Sequence, residues 1–357
     1  WKKLAAENIS INFAHRTFQW NSEARGKAAV HCVIIGFAAF SRKEKRIYEY
    51  DDIRLEPHEI KAANINAYLV DSPSVVLENR RSPLCDAPKV GIGNQPIDGG
   101  HYLFTPEEKA VFLEIEPKAA PFFRQWIGAR EFLNDIERWC LWLGDCSPAE
   151  LKQMPACIER VQKVQTLRME SKRKSTQKLA STPTRFCVEN MPSGNFLVIP
   201  ATSSERRHYI PIGFLGPEFM ASNRVNITRE STGFHFGILS STMHMAWMRY
   251  TTGRLKSDYS YSIGIVYNNY PWPINATDKQ KKKVEQAAQA VLAARALFPD
   301  STLADLYDPL TMPAELTKAH AALDKAVDKC YRSQPFTNEL NMMQFLFARY
   351  EELTAED

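Results

Sequence analysis

The chain changes character at Pro271-Trp272-Pro273, and this break constrains the fold more than any other feature of the sequence. Ahead of it lie short β-branched and aromatic runs separated by Pro, Gly and Asn, the pattern of strands and turns. Beyond it, ATDKQKKKVEQAAQAVLAARALFP places Val284, Ala287, Ala288, Val291, Leu292 and Leu297 on one helical stripe. Thr277 and Gln280 offer a capping box at its start. AELTKAHAALDKAVDKCYR and TNELNMMQFLFARYEEL repeat the stripe, which predicts a three-helix domain over 274–357. The whole is therefore expected to be a mixed α/β (α+β) chain, and 357 residues suit two or three domains.

ISINFAHRTFQW (9–20) and KAAVHCVIIGF (27–37) are strand-like, joined by the polar turn NSEARG, and predict a hairpin at the edge of a larger sheet over 1–41. SRKEKRIYEYDD (41–52) is charged, without apolar periodicity, and is expected to be a linker. A mostly antiparallel domain with inserted helices is expected over 42–273. One helix should start at TPEEKAVFLEIEP, with Thr105 as N-cap, Pro106 at N1 and Glu108 at N3. FFRQWIGAREFLNDIERWCLWLG is dense in aromatic residues and predicts core. The helical stretch 147–181 turns basic: Arg160, Lys163, Arg168, Lys172, Arg173, Lys174 and Lys178 face only Glu159 and Glu170. Such a run is either a solvated helix face or a phosphate-binding one. FLVIPATSSERRHYIPIGFL and NRVNITRE predict further strands, and Arg206, Arg207, Arg224 and Arg229 keep that region basic.

The composition excludes several classes. A hydrophobic content of 44% is that of a folded chain, and no apolar run approaches the roughly 20 residues of a membrane span. A net charge of +4 permits a nucleic-acid partner without demanding one. Seven cysteines without a C-x-x-C pair point to reduced thiols of the cytoplasm, and neither a disulfide framework nor a metal site is expected. The chain opens on Trp1 with no leader pattern, so a piece of a longer polypeptide is expected.

GRLKSDYSYSIGIVYNNYPWP (253–273) carries the most chemistry. A strand puts residues two apart on one face, so Lys256, Asp258 and Ser260 would stand side by side. One reading is a surface ion pair of small energetic consequence. The other comes from DNA. In the major groove guanine offers the acceptors O6 and N7, while its cytosine offers the N4 amino donor. Lysine beside aspartate matches both halves of one G·C pair, and reversing the pair opposes like functions at both contacts.

INFAHRTFQW, KAAVHCVIIGF, IGAREFLNDIERWCLWL, IPATSSERRHYIPIGFL, FHFGILSSTMHMAWMRYTTGRL and DYSYSIGIVYNNYPWP together resemble the MmeI-like (type IIL) restriction-modification proteins. These join an adenine-N6 DNA methyltransferase, a target-recognition domain and a nuclease in one polypeptide. The resemblance extends over nearly the whole chain. It implies that NFAHRTFQW is the last methyltransferase motif, where Phe18 or Trp20 would stack on an extruded adenine or else pack inside the hairpin. It implies that Lys256 and Asp258 are the specificity pair, reading G on the methylated strand, with Ser260 standing where the family often has Arg. Double-stranded DNA and the rest of the methyltransferase polypeptide are the implied partners. S-adenosylmethionine is the implied cofactor of the parent enzyme, and no membrane is involved. Phosphate contacts are expected from Arg168, Lys172, Arg173, Lys174, Arg206, Arg207, Arg224 and Arg254.

Neither the Asn/Asp-Pro-Pro-aromatic motif of such methyltransferases nor their Gly-rich cofactor loop occurs in the sequence, and VGIGNQP lacks the strand–turn–helix context. No Asp…Glu-x-Lys nuclease set stands out either. No catalytic residue is therefore expected within the chain itself. A non-enzymatic nucleic-acid-binding or adaptor module is the alternative reading.

Overall fold

The computed structural model describes residues 1–20, 30–50 and 52–355. After the short helix α1 (Lys2–Ala6), strands β1 (Ser10–Trp20) and β2 (Val30–Ala38) pair antiparallel from Ser10↔Ala38 to Trp20↔Val30. The expected turn NSEARG lies outside the described residues. The register slips between Ile11 and Phe13 and again between His15 and Phe18. Such bulges bend a strand and re-aim its side chains.

The stretch expected as a linker is instead a strand. β3 (Lys45–Glu49) runs parallel to β1 and antiparallel to β4 (His58–Ala62), giving the order β2-β1-β3-β4. Ile47 is fully buried, and so nearly is Lys45, whose ammonium donates to Asn64 Oδ1 at 3.3 Å. A lysine stem thus stands at an inward position where an apolar residue would have made the alternation visible. Ile11, Ala14, Ile47, Ala62, Ile65 and Leu69 form the core under this sheet.

The next elements are β5 (Val90–Ile92), β6 (Leu103–Phe104), α2 (Pro106–Ile115), β7 (Phe123–Ile127), α3 (Ala129–Asn134), β8 (Trp139–Leu141), α4 (Pro148–Leu151), α5 (Pro155–Met169) and α6 (Lys174–Lys178). They are followed by β9 (Phe196–Pro200), β10 (Thr202–Ser203), β11 (Gly213–Leu215), β12 (Phe219–Ala221), β13 (Val225–Thr228) and α7 (Gly233–Leu239). One antiparallel sheet has the order β11-β9-β13-β5. A second has the order β12-β7-β8-β6, in which β12 and β7 are parallel. Thr105 and Glu108 close the expected capping box at α2. The aromatic run supplies the core: Phe123, Trp126, Leu141 and Trp142 pack with Tyr102, Phe104, Phe112 and Phe186.

The remaining elements are α8 (Thr242–Thr251), β14 (Gly253–Leu255), β15 (Asp258–Ser260), a π-type turn Ile263–Tyr267, and the helices α9 (Asp278–Ala296), α10 (Leu303–Leu306), α11 (Ala314–Tyr331) and α12 (Glu339–Ala355). Thr277 and Gln280 form their capping box ahead of α9. The chain divides into two compact units. One is Trp1–Ala87 with Ser241–Gln280 and Asp324–Asp357, and the other is Pro88–Ser240 with Lys281–Leu323. The helical tail is shared between them, since α9 and α11 each begin in one unit and end in the other.

Candidate nucleic-acid interface

Helix α8 founds the region around Lys256. Ser241 caps it by accepting from His244 N–H, and Asp324 Oδ1 accepts from Thr242 N–H at 2.8 Å. A carboxylate at a helix N-terminus is favourable to both partners. The helix buries Met243, His244, Met245, Ala246, Trp247 and Met248. Trp247 Nε1 donates to Val266 O at 2.9 Å, and its ring lies 5.4 Å from Phe347 on α12. His244 is fully buried, which pushes its pKa down to about 3, and its Nε2 is 2.8 Å from Tyr261 Oη. The strand leading away from the hairpin is therefore tied to a rigid helix.

From α8 the chain enters a tight hairpin. Gly253 pairs with Ser260, Arg254 with Tyr259 and Leu255 with Asp258, leaving Lys256-Ser257 as a two-residue turn. This corrects the single strand expected over 256–261. Asp258 and Ser260 do share a face, but Lys256 sits on the turn with a left-handed φ of 58°. The chain reverses there without a glycine. Tyr259 is 5% exposed and Tyr261 6% exposed, whereas Lys256 and Ser260 are exposed and Asp258 is half-buried. Behind the turn, Arg254 stacks over the Tyr259 ring at 4.4 Å and donates to Ser257 O at 2.9 Å.

Among the described residues neither Lys256 nor Asp258 takes part in an ion pair. The surface-pair reading therefore has no support in the geometry. The hairpin carries an ammonium and a carboxylate two residues apart in sequence, neither of them in an ion pair among the described residues.

Phe18 and Trp20 lie on β1, in the same compact unit, with ring centroids 6.0 Å apart. Phe18 is half-buried and stacks on Tyr50 at 5.3 Å, while Trp20 is 49% exposed. His15 stacks on Tyr48 at 4.3 Å, its Nδ1 is 2.8 Å from Tyr50 Oη, and burial lowers its pKa. Tyr48 and Tyr50 escaped the sequence reading because they stand in the supposed linker; the alternation I-Y-E-Y was the signal. Arg16 bonds to Glu49 and to Tyr250 Oη, and its guanidinium lies 4.0 Å from the Tyr250 ring centre. The aromatic set is thereby tied to the last turn of α8, which leads into the hairpin.

The other basic candidates belong to the second unit, and Arg168 is a correction. It is fully buried, and its five N–H groups donate to the carbonyls of Ile97, Leu179, Thr182, Pro96 and Arg185 at 2.8–3.0 Å. No donor is left for a phosphate. Lys172, Arg173, Lys174, Arg206 and Arg224 are exposed and Arg207 is half-buried. Arg206 lies 3.8 Å from Asp308. Among the described residues there is no cluster of three or more potential metal ligands and no helix long and apolar enough to cross a membrane.

Three domain models match in series: a DNA-methyltransferase domain over 1–49, a target recognition domain over 71–274 and a C-terminal domain over 276–356. The class is that of a target recognition domain flanked by methyltransferase sequence and a helical domain. All three models are those of MmeI, and the chain belongs to the MmeI family. It is 36% identical over 354 residues to DNA methyltransferase A of Bacillus subtilis (strain 168), covering 99% of this chain and 40% of that protein. The structure of the type IIL restriction-modification enzyme MmeI in complex with DNA matches with a TM-score of 0.91 at 47% identity, covering 99% of this chain and 47% of that one. The chain thus spans less than half the length of both relatives.

Proposed function

We propose that this chain supplies sequence-specific DNA recognition to an adenine-N6 DNA methyltransferase of the restriction-modification type. On this reading Lys256 donates to guanine and Asp258 accepts from the N4 amino group of the paired cytosine, on the methylated adenine's side of the site. The observation that carries it is the 253–260 hairpin, anchored from behind by Tyr259, which carries the Lys256 ammonium on its exposed turn and the half-buried Asp258 carboxylate on the adjoining strand, neither of them in an ion pair among the described residues. Ser260 stands on the same face as Asp258 and contacts a further position. Trp20, the exposed member of the aromatic set, stacks on the extruded adenine, with Phe18 backing it. Lys172, Arg173, Lys174, Arg206, Arg207, Arg224 and Arg254 contact phosphates, which fix register without reading sequence. S-adenosylmethionine is the methyl donor of the full-length enzyme on this reading, and no residue of this chain is assigned to it.

The test is methylome sequencing of cells expressing the full-length enzyme with Lys256→Ala or Asp258→Ala. Each substitution is expected to relax or change one base pair of the methylated site, by about 1–3 kcal/mol of discrimination, and to leave the others intact. An unchanged site in both variants removes these residues as readers.

A further inference from the structure

We propose that Leu255 is a further specificity-determining residue of the hairpin, one that seats against the C5 edge of a pyrimidine in the major groove and senses its methyl group. The proposal rests on the DNA-recognition reading above and adds to it a residue and a base-edge chemistry that the polar pair does not cover.

The two faces of the hairpin differ. Arg254 and Tyr259 are cross-strand partners on the inner face, packed on each other, with Tyr259 5% exposed. The outer face carries the other two pairs, Gly253 with Ser260 and Leu255 with Asp258. Directly opposed side chains stand about 5 Å apart, so Leu255 and Asp258 present their ends together. Leu255 is 63% exposed.

A single exposed leucine needs no explanation. This one differs in its surroundings. Its cross-strand partner is a carboxylate, from which an isobutyl group gains nothing, and its chain neighbour is the left-handed Lys256. Gly253, two residues back on the same face, is not among the glycines with positive φ, and a Cβ placed there would meet nothing within 4 Å. The chain's own packing therefore does not require glycine at 253. Glycine in a strand is found at bulges, at tight bends and where a ligand or another backbone approaches closely, and the open space at Gly253 leaves room for the last of these. The outer face thus combines clearance at one end with an apolar knob at the other, and the knob adjoins the group assigned to cytosine.

The chemistry of that edge is specific. Cytosine presents C5–H beside its N4 amino group, and thymine presents a methyl at the same place. With Asp258 on the N4 amino group, the neighbouring leucine reaches the C5 position of that cytosine or of the adjacent pyrimidine. Burying one methyl against it corresponds to about a fourfold gain in affinity.

The experiment uses the full-length enzyme and duplexes carrying its methylated site. Each thymine in turn is replaced by deoxyuridine and each cytosine by 5-methylcytosine, and binding is measured for the native protein, Leu255→Ala and Leu255→Met. The native protein and Leu255→Met are expected to respond about fourfold at one pyrimidine, the tighter complex being the methylated one, and Leu255→Ala to lose that response alone. Absence of any responding pyrimidine in the native protein, or a response that persists in Leu255→Ala, overturns the proposal. Failure of the parent reading is distinct: it appears as unaltered site preference in Lys256→Ala and Asp258→Ala, whatever Leu255 does.

Discussion

Lys256 occupies a backbone conformation that costs an L-residue about 1–2 kcal/mol, and it does so at the first position of a two-residue turn. Glycine is the residue such a turn favours. A lysine held there against that preference is consistent with service to something outside the chain. Lys256→Gly is accordingly expected to make the hairpin more stable while removing the ammonium proposed to contact guanine. The measurement is hydrogen exchange of the β14 and β15 amides, which should slow about fivefold, a change corresponding to about 1 kcal/mol. Lys256→Val should speed it, because a β-branched residue tolerates that φ least. Faster exchange in the glycine variant would mean that the lysine stabilises the turn by its own contacts. None of this was visible in the sequence, since L-K-S-D contains neither glycine nor asparagine to mark a reversal.

At the scale of elements, helix α5 and the segment after it hold positive charge in two settings that the sequence could not tell apart. Arg168 closes the loops around Ile97 and Thr182 from inside, whereas Lys172, Arg173 and Lys174 stand in solvent. Arg168→Ala removes a donor from five carbonyls, of which Leu179 and Thr182 keep a backbone N–H, and opens a cavity, so a loss of about 4 kcal/mol is expected in denaturant unfolding. Lys172→Ala should leave the unfolding midpoint in place and instead lower the salt slope of DNA binding by the full-length enzyme by about one. A salt slope unchanged by all three exposed substitutions would detach this segment from the phosphates. The capping boxes at Thr105 and Thr277 and the tail helices were legible because each depends on neighbours within a few residues. The fate of Arg168 was not, because its partners Pro96 and Ile97 lie about 70 positions away. β3 stayed hidden for a related reason: its inward lysine takes its meaning from Asn64, on another segment.

Across the whole molecule the buried titratable groups set how stability responds to acid. Burial lowers His244 and His320 to about 3, so the folded chain stays neutral there while the unfolded chain gains both protons as pH falls through about 6.5. Their contribution to stability is full above about pH 6.5 and declines as pH drops toward 3. Asp328 on α11 acts in the opposite sense. Burial and the nearby Asp324 carboxylate raise it to about 6, against the pull of Arg332, and its Oδ1 has no hydrogen-bond partner. The folded chain therefore holds a proton that the unfolded chain releases near pH 4, and this contribution is lost as pH rises through 6. Between about pH 4 and 6 the histidines make stability rise with pH and Asp328 makes it fall. Asp328→Asn removes only the falling component, so the rise should steepen by as much as one proton, and the substituted protein should be the more stable of the two at pH 7. Urea midpoints taken every half unit from pH 4 to 7 measure the difference. Parallel curves for the native and substituted proteins would show that the Asp328 carboxyl titrates alike in the folded and unfolded chain, despite its burial beside Asp324.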